Sequence, residues 1–152
     1  MKAKKIRSQQ ILEEVKPKEV LDEYLRLVKV DAATFFTGVI RNDIQCPACG
    51  NQGKHTFNKN GFAYSNCPNC NTLYVSPRPE NSSFKRYYTE GKSIEFWASV
   101  FYKVTSVARR KILWKPKAKM IFSIVKKYTA KGANIIDVGG GYGIFAEEME
   151  KL

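Results

Sequence analysis

The pattern of apolar positions near the start of the chain predicts helices. Between Ser8 and about Phe36, apolar residues recur every three or four positions, which is the period of an amphipathic helix. Pro17 lies where a second helix would begin, since the first helical turn tolerates a residue without a backbone N–H. We therefore expect a short helix followed by a longer one, with Gly38 as a plausible stop.

The pattern changes to short alternating segments, typical of β-strands, from about residue 44 to residue 75. Residues 56–58 and 62–64 flank Asn60-Gly61, and Asn-Gly is a strong hairpin signal. A further strand is predicted at residues 72–75. The two prolines at positions 77 and 79 exclude a central strand and mark residues 76–79 as a linker.

Helical spacing returns from about Ser82 to Tyr128, and residues 117–128 form a clear helical candidate. Aromatic residues recur along this segment, and we expect them to pack in the core rather than to cover a ligand. They are Tyr87, Tyr88, Phe96 and Trp97. The last segment predicts a strand at residues 133–138, a glycine loop at residues 139–143 and a helix from Ile144 onward.

Composition excludes several classes of protein. Hydrophobic residues make up 43% of the 152 positions and charged residues 26%, as in globular proteins. No apolar run approaches the roughly 20 residues that span a bilayer. The basic N-terminus lacks the apolar stretch of a signal peptide, so we expect a soluble, cytoplasmic protein.

The charge balance is strongly basic. The net charge is +12, which suggests a nucleic acid or membrane surface as a partner, although lysines that merely solvate helices give the same excess. Six basic residues cluster around Pro116, which interrupts the run. They are Arg109, Arg110, Lys111, Lys115, Lys117 and Lys119.

All four cysteines lie in two Cys-x-x-Cys pairs, Cys46 with Cys49 and Cys67 with Cys70, separated by seventeen residues. This spacing is typical of a zinc site. Four thiolates complete a tetrahedron and leave no open position, so the zinc should be structural. Two redox pairs are the alternative, but their usual βαβ context is absent here. His55 lies off the ligand spacing, and we expect it on a strand surface.

The glycine loop follows an acid, in the order Asp137-Val138-Gly139-Gly140-Gly141-Tyr142-Gly143. Glycines at a strand-to-helix turn let the backbone approach a ligand closely and permit positive φ. Residues 141–146 also fit a dinucleotide fingerprint. Asp137 favours another cofactor, because it would repel a diphosphate and attract a cationic amino-acid group.

This D-x-G-x-G-x-G segment resembles the first motif of class I S-adenosylmethionine-dependent methyltransferases. The order of cysteine pairs, connector and glycine loop, over about residues 44–150, is similar to bacterial methyltransferases with an N-terminal zinc-binding region. The resemblance implies that Asp137, Gly139, Gly141 and Gly143 line the methionine and ribose region of S-adenosylmethionine. It also implies a small molecule or saccharide as methyl acceptor.

The expected fold class is α+β, in four parts. We expect N-terminal helices at residues 1–43, a zinc ribbon at 44–80, a helical connector at 81–130, and the first βα unit of a Rossmann-like domain at 131–152. A doubly wound sheet needs several βα units. Either the chain is a fragment of a longer enzyme, or another chain completes the sheet. We favour the fragment and expect an N-terminal portion that is inactive alone, whose sequence names no catalytic residue.

The competing hypothesis is a binding module without catalysis. A zinc ribbon and basic helices can dock a nucleic acid or a protein partner. Phe57, Phe62 and Tyr64 lie on the predicted hairpin, where aromatic rings can stack on single-stranded bases. The same rings would equally serve as the small core of the ribbon, and we favour the enzyme.

Overall fold

The computed structural model describes residues 11–129 and 134–152. The fold is α+β, with helices and two small antiparallel sheets. The chain divides into two compact units. The ribbon unit comprises residues 22–99, and the helical unit comprises residues 100–152 together with residues up to 21.

The N-terminal helices are confirmed where the structure describes them. Residues 11–15 are helical, and helix α1 follows as Lys18–Phe36. Pro17 lies between them, and its carbonyl accepts a hydrogen bond from Leu21 N at 2.9 Å. Gly38 has a φ of +67° just beyond the helix. The predicted beginning at Ser8 lies outside the described residues.

A three-stranded antiparallel sheet forms the body of the ribbon. Its strands are β2 (Lys54–Lys59), β3 (Phe62–Asn66) and β4 (Leu73–Val75), in the order β2-β3-β4. Asn60 and Gly61 form the hairpin turn with φ values of +50° and +79°, as a turn of type I′ requires. The predicted hairpin and the strand at residues 72–75 are therefore confirmed.

The prediction of a plain linker at residues 76–79 is wrong in part. Strand β5, Arg78–Pro79, pairs antiparallel with β1, Arg41–Asn42, in a separate two-stranded sheet. A proline lacks the N–H that a central strand must donate, but it fits the edge of a two-stranded ladder. The prolines therefore excluded only a central strand.

Helices account for almost all of the connector. Pro116 lies in the first turn of the last of these helices, Lys115–Tyr128, two residues after the end of a π-helical turn. A proline is tolerated there because it has no N–H to donate. The segments are α2 (Asn81–Glu90), α3 (Lys92–Phe96), a π-helical turn (Trp97–Phe101), α4 (Tyr102–Arg109), a second π-helical turn (Arg110–Trp114) and α5 (Lys115–Tyr128).

Aromatic rings pack between α1 and α2 in the ribbon unit. The Phe36 ring centroid lies 5.0 Å from Phe84 and 5.7 Å from Tyr87. Trp97 lies 5.0 Å from Tyr24 of α1. The expectation that the aromatic stripe packs internally is confirmed for Tyr87 and Trp97, but it is wrong for Tyr88, which is 66% exposed.

The strand predicted at residues 133–138 does not form in the residues of it that the structure describes. Residues 134–138 adopt no regular structure, and position 133 lies outside the described residues. A strand is held by hydrogen bonds to a neighbour, and no described strand pairs with this segment. The predicted helix does form, as α6 (Ile144–Glu150).

Candidate metal centre and glycine loop

The four cysteine sulfurs lie together. Cys46 Sγ is 3.6 Å from Cys70 Sγ, and Cys49 Sγ is 3.5 Å from Cys67 Sγ. All four sulfurs lie within 4.8 Å of one another. Tetrahedral zinc with Zn–S bonds of about 2.3 Å places its sulfurs about 3.8 Å apart, so the cluster has the size that a zinc ion needs.

A tight turn presents the first cysteine pair. Gly50 N donates to Cys46 O at 2.9 Å, and Cys46 N donates to Asn51 O at 2.9 Å. Gly50 takes a φ of +75° to close this turn. Glycine adopts that conformation without strain because it lacks a Cβ. This explains why a glycine follows the first cysteine pair.

The second pair repeats this geometry. Asn71 N donates to Cys67 O at 2.9 Å, and Cys67 N donates to Thr72 O at 3.0 Å. Asn71 has a φ of +57°, and asparagine tolerates the left-handed region better than most residues. Two equivalent turns thus present two sulfurs each at the same, open end of the β2–β3 hairpin, where Lys54 pairs with Asn66.

One side of the cluster is buried and the other is exposed. Cys46 and Cys67 pack with Tyr74 in a small core, whereas Cys49 and Cys70 are exposed. The backbone of Gly53 passes so close to the Tyr74 ring that a Cβ there would lie 2.3 Å from the hydroxyl oxygen. Such a core is too small to hold the ribbon without a further crosslink.

The thiols lie in contrasting electrostatic surroundings. The backbone N–H of Asn51, with the side chains of Asn51 and Asn69, lowers the pKa of Cys49 to about 6. The Cys70 amide lowers the pKa of Cys67, but burial and the neighbouring thiols outweigh it and raise that pKa to about 11. Four adjacent thiolates repel one another, so full deprotonation requires a cation among them.

The donor set therefore fits a metal ion held by four cysteines. Within the described parts of the chain, this is the one group of cysteine, histidine and acidic residues close enough to share an ion. His55 lies on exposed strand β2, with its Nε2 atom 3.2 Å from Asn58 Oδ1. The prediction that His55 lies on a strand surface is confirmed.

The glycine loop brings its predicted residues into one exposed turn. Gly139, Gly141 and Gly143 have φ values of +77°, +58° and +73°. A Cβ built on any of the three would meet nothing within 4 Å. Conformation, rather than crowding, therefore requires glycine at these three positions, and the space beside each is open.

Asp137 lies against the same loop. A Cβ at Gly140 would lie 2.6 Å from Asp137 Oδ2, so the carboxylate occupies the space of that missing side chain. Gly143 N donates to Gly140 O at 3.0 Å and closes the turn that leads into α6. The structure thus places the Asp137 carboxylate against Gly140, in the turn that also contains Gly139, Gly141 and Gly143.

Contacts that sequence spacing did not reveal hold the loop and α6 within the helical unit. Tyr142 stacks on Tyr102 with ring centroids 3.8 Å apart. Arg110 pairs with Glu147 and with Glu148, the latter at 2.7 Å. The partners are 37 and 38 residues apart in sequence, so no local pattern signals them.

Comparison with protein-family models, curated proteins and solved structures found no match to this chain. Among the described helices, none has the length and apolar character needed to cross a bilayer.

Proposed function

We propose that the four cysteines hold one structural zinc ion and that the chain is the N-terminal portion of an S-adenosylmethionine-dependent methyltransferase. The zinc would crosslink the two cysteine turns, and the glycine loop would receive the cofactor.

The sulfur geometry supports zinc as the resident ion. Zinc prefers four thiolates in tetrahedral arrangement, and sulfurs at 3.5–3.6 Å are close to that spacing. With four protein ligands the ion has no position left for a substrate, so its role is to stabilise the ribbon. Backbone amides at Asn51 and Cys70 stabilise the negative charge of the cluster.

The observation that carries the cofactor proposal is the backbone conformation of every second residue in the glycine loop. Gly139, Gly141 and Gly143 are left-handed, with open space where their side chains would be. A ligand can therefore approach the backbone there more closely than at any residue with a Cβ. The helical unit anchors this loop through the Tyr142–Tyr102 stack.

Asp137 supplies the electrostatic part of the proposal. It is exposed, and no described cation forms an ion pair with it. A carboxylate in that position attracts the amino group and the sulfonium of S-adenosylmethionine. The acceptor would be a small molecule or a saccharide, and methyl transfer to it depends mainly on alignment of donor and acceptor.

Equilibrium dialysis of S-adenosylmethionine against the protein expressed from its complete reading frame tests this proposal. We expect binding, and we expect Asp137→Ala to weaken it at least about tenfold, the equivalent of one lost charge-assisted contact. Asp43→Ala removes an exposed acid of the ribbon unit and serves as control. Unchanged affinity in Asp137→Ala would reject the cofactor assignment.

A second candidate function is a binding module for single-stranded nucleic acid. The Phe57 and Tyr64 rings stack at 4.8 Å on the ribbon, and Phe57 is 40% exposed. An open groove of about 620 Å³ beside them includes Phe62 and the cation Arg78. Binding of a single-stranded RNA that weakens steeply with salt, and that Phe57→Ala reduces, would favour this candidate.

A further inference from the structure

The helical unit contains a long segment of one charge sign. Residues 100–128 include nine basic residues and not one aspartate or glutamate, in a chain whose net charge is +12. Nine of the 26 lysines and arginines of the chain therefore lie in the helices α4 and α5 and the π-helical turn between them, with no acidic residue among them.

The two arginines of this segment are engaged within the fold. Arg109 Nη1 lies 3.5 Å from the Val15 carbonyl oxygen, and Arg110 pairs with Glu147 and Glu148. The remaining cations are exposed lysines, and none forms an ion pair with a described residue. They are Lys103, Lys111, Lys115, Lys117, Lys119, Lys126 and Lys127.

Apolar side chains share the surface of α5 with these lysines. Met120, Ile124 and Tyr128 are spaced by four residues and are 54%, 47% and 72% exposed. Helical geometry places Lys117 and Lys127 on the same side of the helix as these three. We name these five residues the lysine–apolar face. Ala118, which is fully buried, marks the opposite side, where α5 packs on its own unit.

A similar stripe begins at Val100, in the first π-helical turn, and continues along α4. Val100, Val104 and Val107 follow one another at intervals of four and three residues and are all exposed, with Val107 at 80%. Lys103 lies beside them on α4. Two successive helices of the unit thus expose aliphatic side chains among lysines that form no ion pair with a described residue, an arrangement that solvation alone does not require. The ammonium groups of Lys117 and Lys127 do lie over aromatic rings, 5.0 Å from the Trp114 centroid and 5.1 Å from the Tyr128 centroid.

We propose that the lysine–apolar face binds the surface of an anionic lipid bilayer. Lysines attract acidic headgroups, and an amphipathic helix lying in the interface inserts its apolar side chains to the depth of the acyl boundary. Tyr128, with an apolar ring and a polar hydroxyl, suits that boundary. The face extends over about 16 Å from Lys117 to Tyr128, at 1.5 Å per residue.

The chemistry of the face favours lipid over nucleic acid. Phosphodiester recognition favours arginine, but Arg109 and Arg110 are occupied. Met120 and Ile124 offer a nucleic-acid backbone no favourable contact, whereas a bilayer buries them. This proposal does not rest on the cofactor proposal, because neither Asp137 nor the glycine loop takes part in it.

Co-sedimentation of the protein with vesicles tests the proposal. We expect binding to vesicles of phosphatidylcholine and phosphatidylglycerol, at about 7:3, and much weaker binding to phosphatidylcholine alone. The double variant Lys117→Gln with Lys127→Gln should lose about thirtyfold in affinity, at about fivefold for each lysine near the surface. Met120→Ser with Ile124→Ser should lose about tenfold.

Matched controls distinguish binding through this face from a general effect of positive charge. Lys54→Gln with Lys59→Gln removes two exposed lysines of the ribbon unit and should leave vesicle binding unchanged. Circular dichroism checks that each variant is folded. If a double variant is unfolded, its two single variants are tested instead. Equal binding to both kinds of vesicle would overturn the proposal. So would a control variant that loses as much vesicle affinity as the double lysine variant of the face. So would binding of a single-stranded RNA, without vesicle binding, that the serine variant leaves unchanged.

Discussion

The carboxylate of Asp31 accepts a hydrogen bond from the backbone N–H of Ser93 at 2.7 Å, across 62 positions of sequence. Its other oxygen accepts from Lys92 N at 3.2 Å. These are the first N–H groups of α3, which have no partner within their own helix. Asp31 lies on α1 and is only 2% exposed, so it joins the two helices through charge-assisted hydrogen bonds.

Replacing Asp31 should therefore destabilise the ribbon unit. Asp31→Ala leaves the buried N–H of Ser93 and the part-buried N–H of Lys92 without this partner, and we expect a loss of about 2–3 kcal/mol in the free energy of unfolding. Asp31→Asn keeps one acceptor oxygen and should lose less. Urea denaturation measures the difference, with Asp43→Ala, an exposed acid, as control. Equal midpoints for Asp31→Ala and the control would show that the contact adds no stability.

Zinc content should follow the four cysteines and not the histidine. Cys67→Ser removes a buried ligand, so we expect it to lose the bound zinc and the folded ribbon together. His55→Ala should retain about one zinc per chain, because His55 lies off the sulfur cluster. Atomic emission measures the metal and circular dichroism the fold. Full zinc content in Cys67→Ser would contradict the four-ligand assignment.

Close contact between Gly53 and Tyr74 predicts a strong effect of a single methyl group. A Cβ at position 53 would lie 2.8 Å from Tyr74 Cζ as well as 2.3 Å from its hydroxyl oxygen. Since Tyr74 is buried beside Cys46 and Cys67, the ring has little room to move. We expect Gly53→Ala to lower the free energy of unfolding by about 1–3 kcal/mol.

A double-mutant cycle separates this clash from a backbone effect. Tyr74→Phe removes the nearest atom, so Gly53→Ala should cost less in that background than in the natural protein. Equal losses of unfolding free energy in the two backgrounds would mean that the hydroxyl oxygen of Tyr74 is not what position 53 meets.

Much of the fold was predictable because local patterns determine it. The Asn60-Gly61 turn requires positive φ at both positions, and the cysteine spacing alone indicated a cluster of four sulfurs. Helical periodicity likewise predicted α1 and α5. These features depend on residues that are near one another in sequence.

Features that depend on distant residues were missed. Nothing near Asp31 indicates that it meets the start of α3, and nothing near Arg110 indicates Glu147 and Glu148. The apolar run at residues 134–138 resembles a strand, yet a strand forms only where a neighbour pairs with it. There Val138 is 91% exposed. The residues of the glycine loop were nevertheless placed together, because they are contiguous.

The Arg110–Glu148 pair predicts acid sensitivity of the helical unit. Lys151 and then Arg110, by hydrogen bonding to Glu148, hold the pKa of that carboxyl below its usual value of 4.5. A carboxyl with a lowered folded-state pKa stabilises the fold above its unfolded pKa, and this stabilisation is lost as the pH falls through the folded pKa. The melting temperature of the natural protein, measured by thermal unfolding, should therefore fall as the pH is lowered below about 4.5. Glu148→Gln should flatten that dependence, whereas Glu150→Gln, at an exposed position, should not. Parallel pH profiles for all three proteins would contradict a role for this pair.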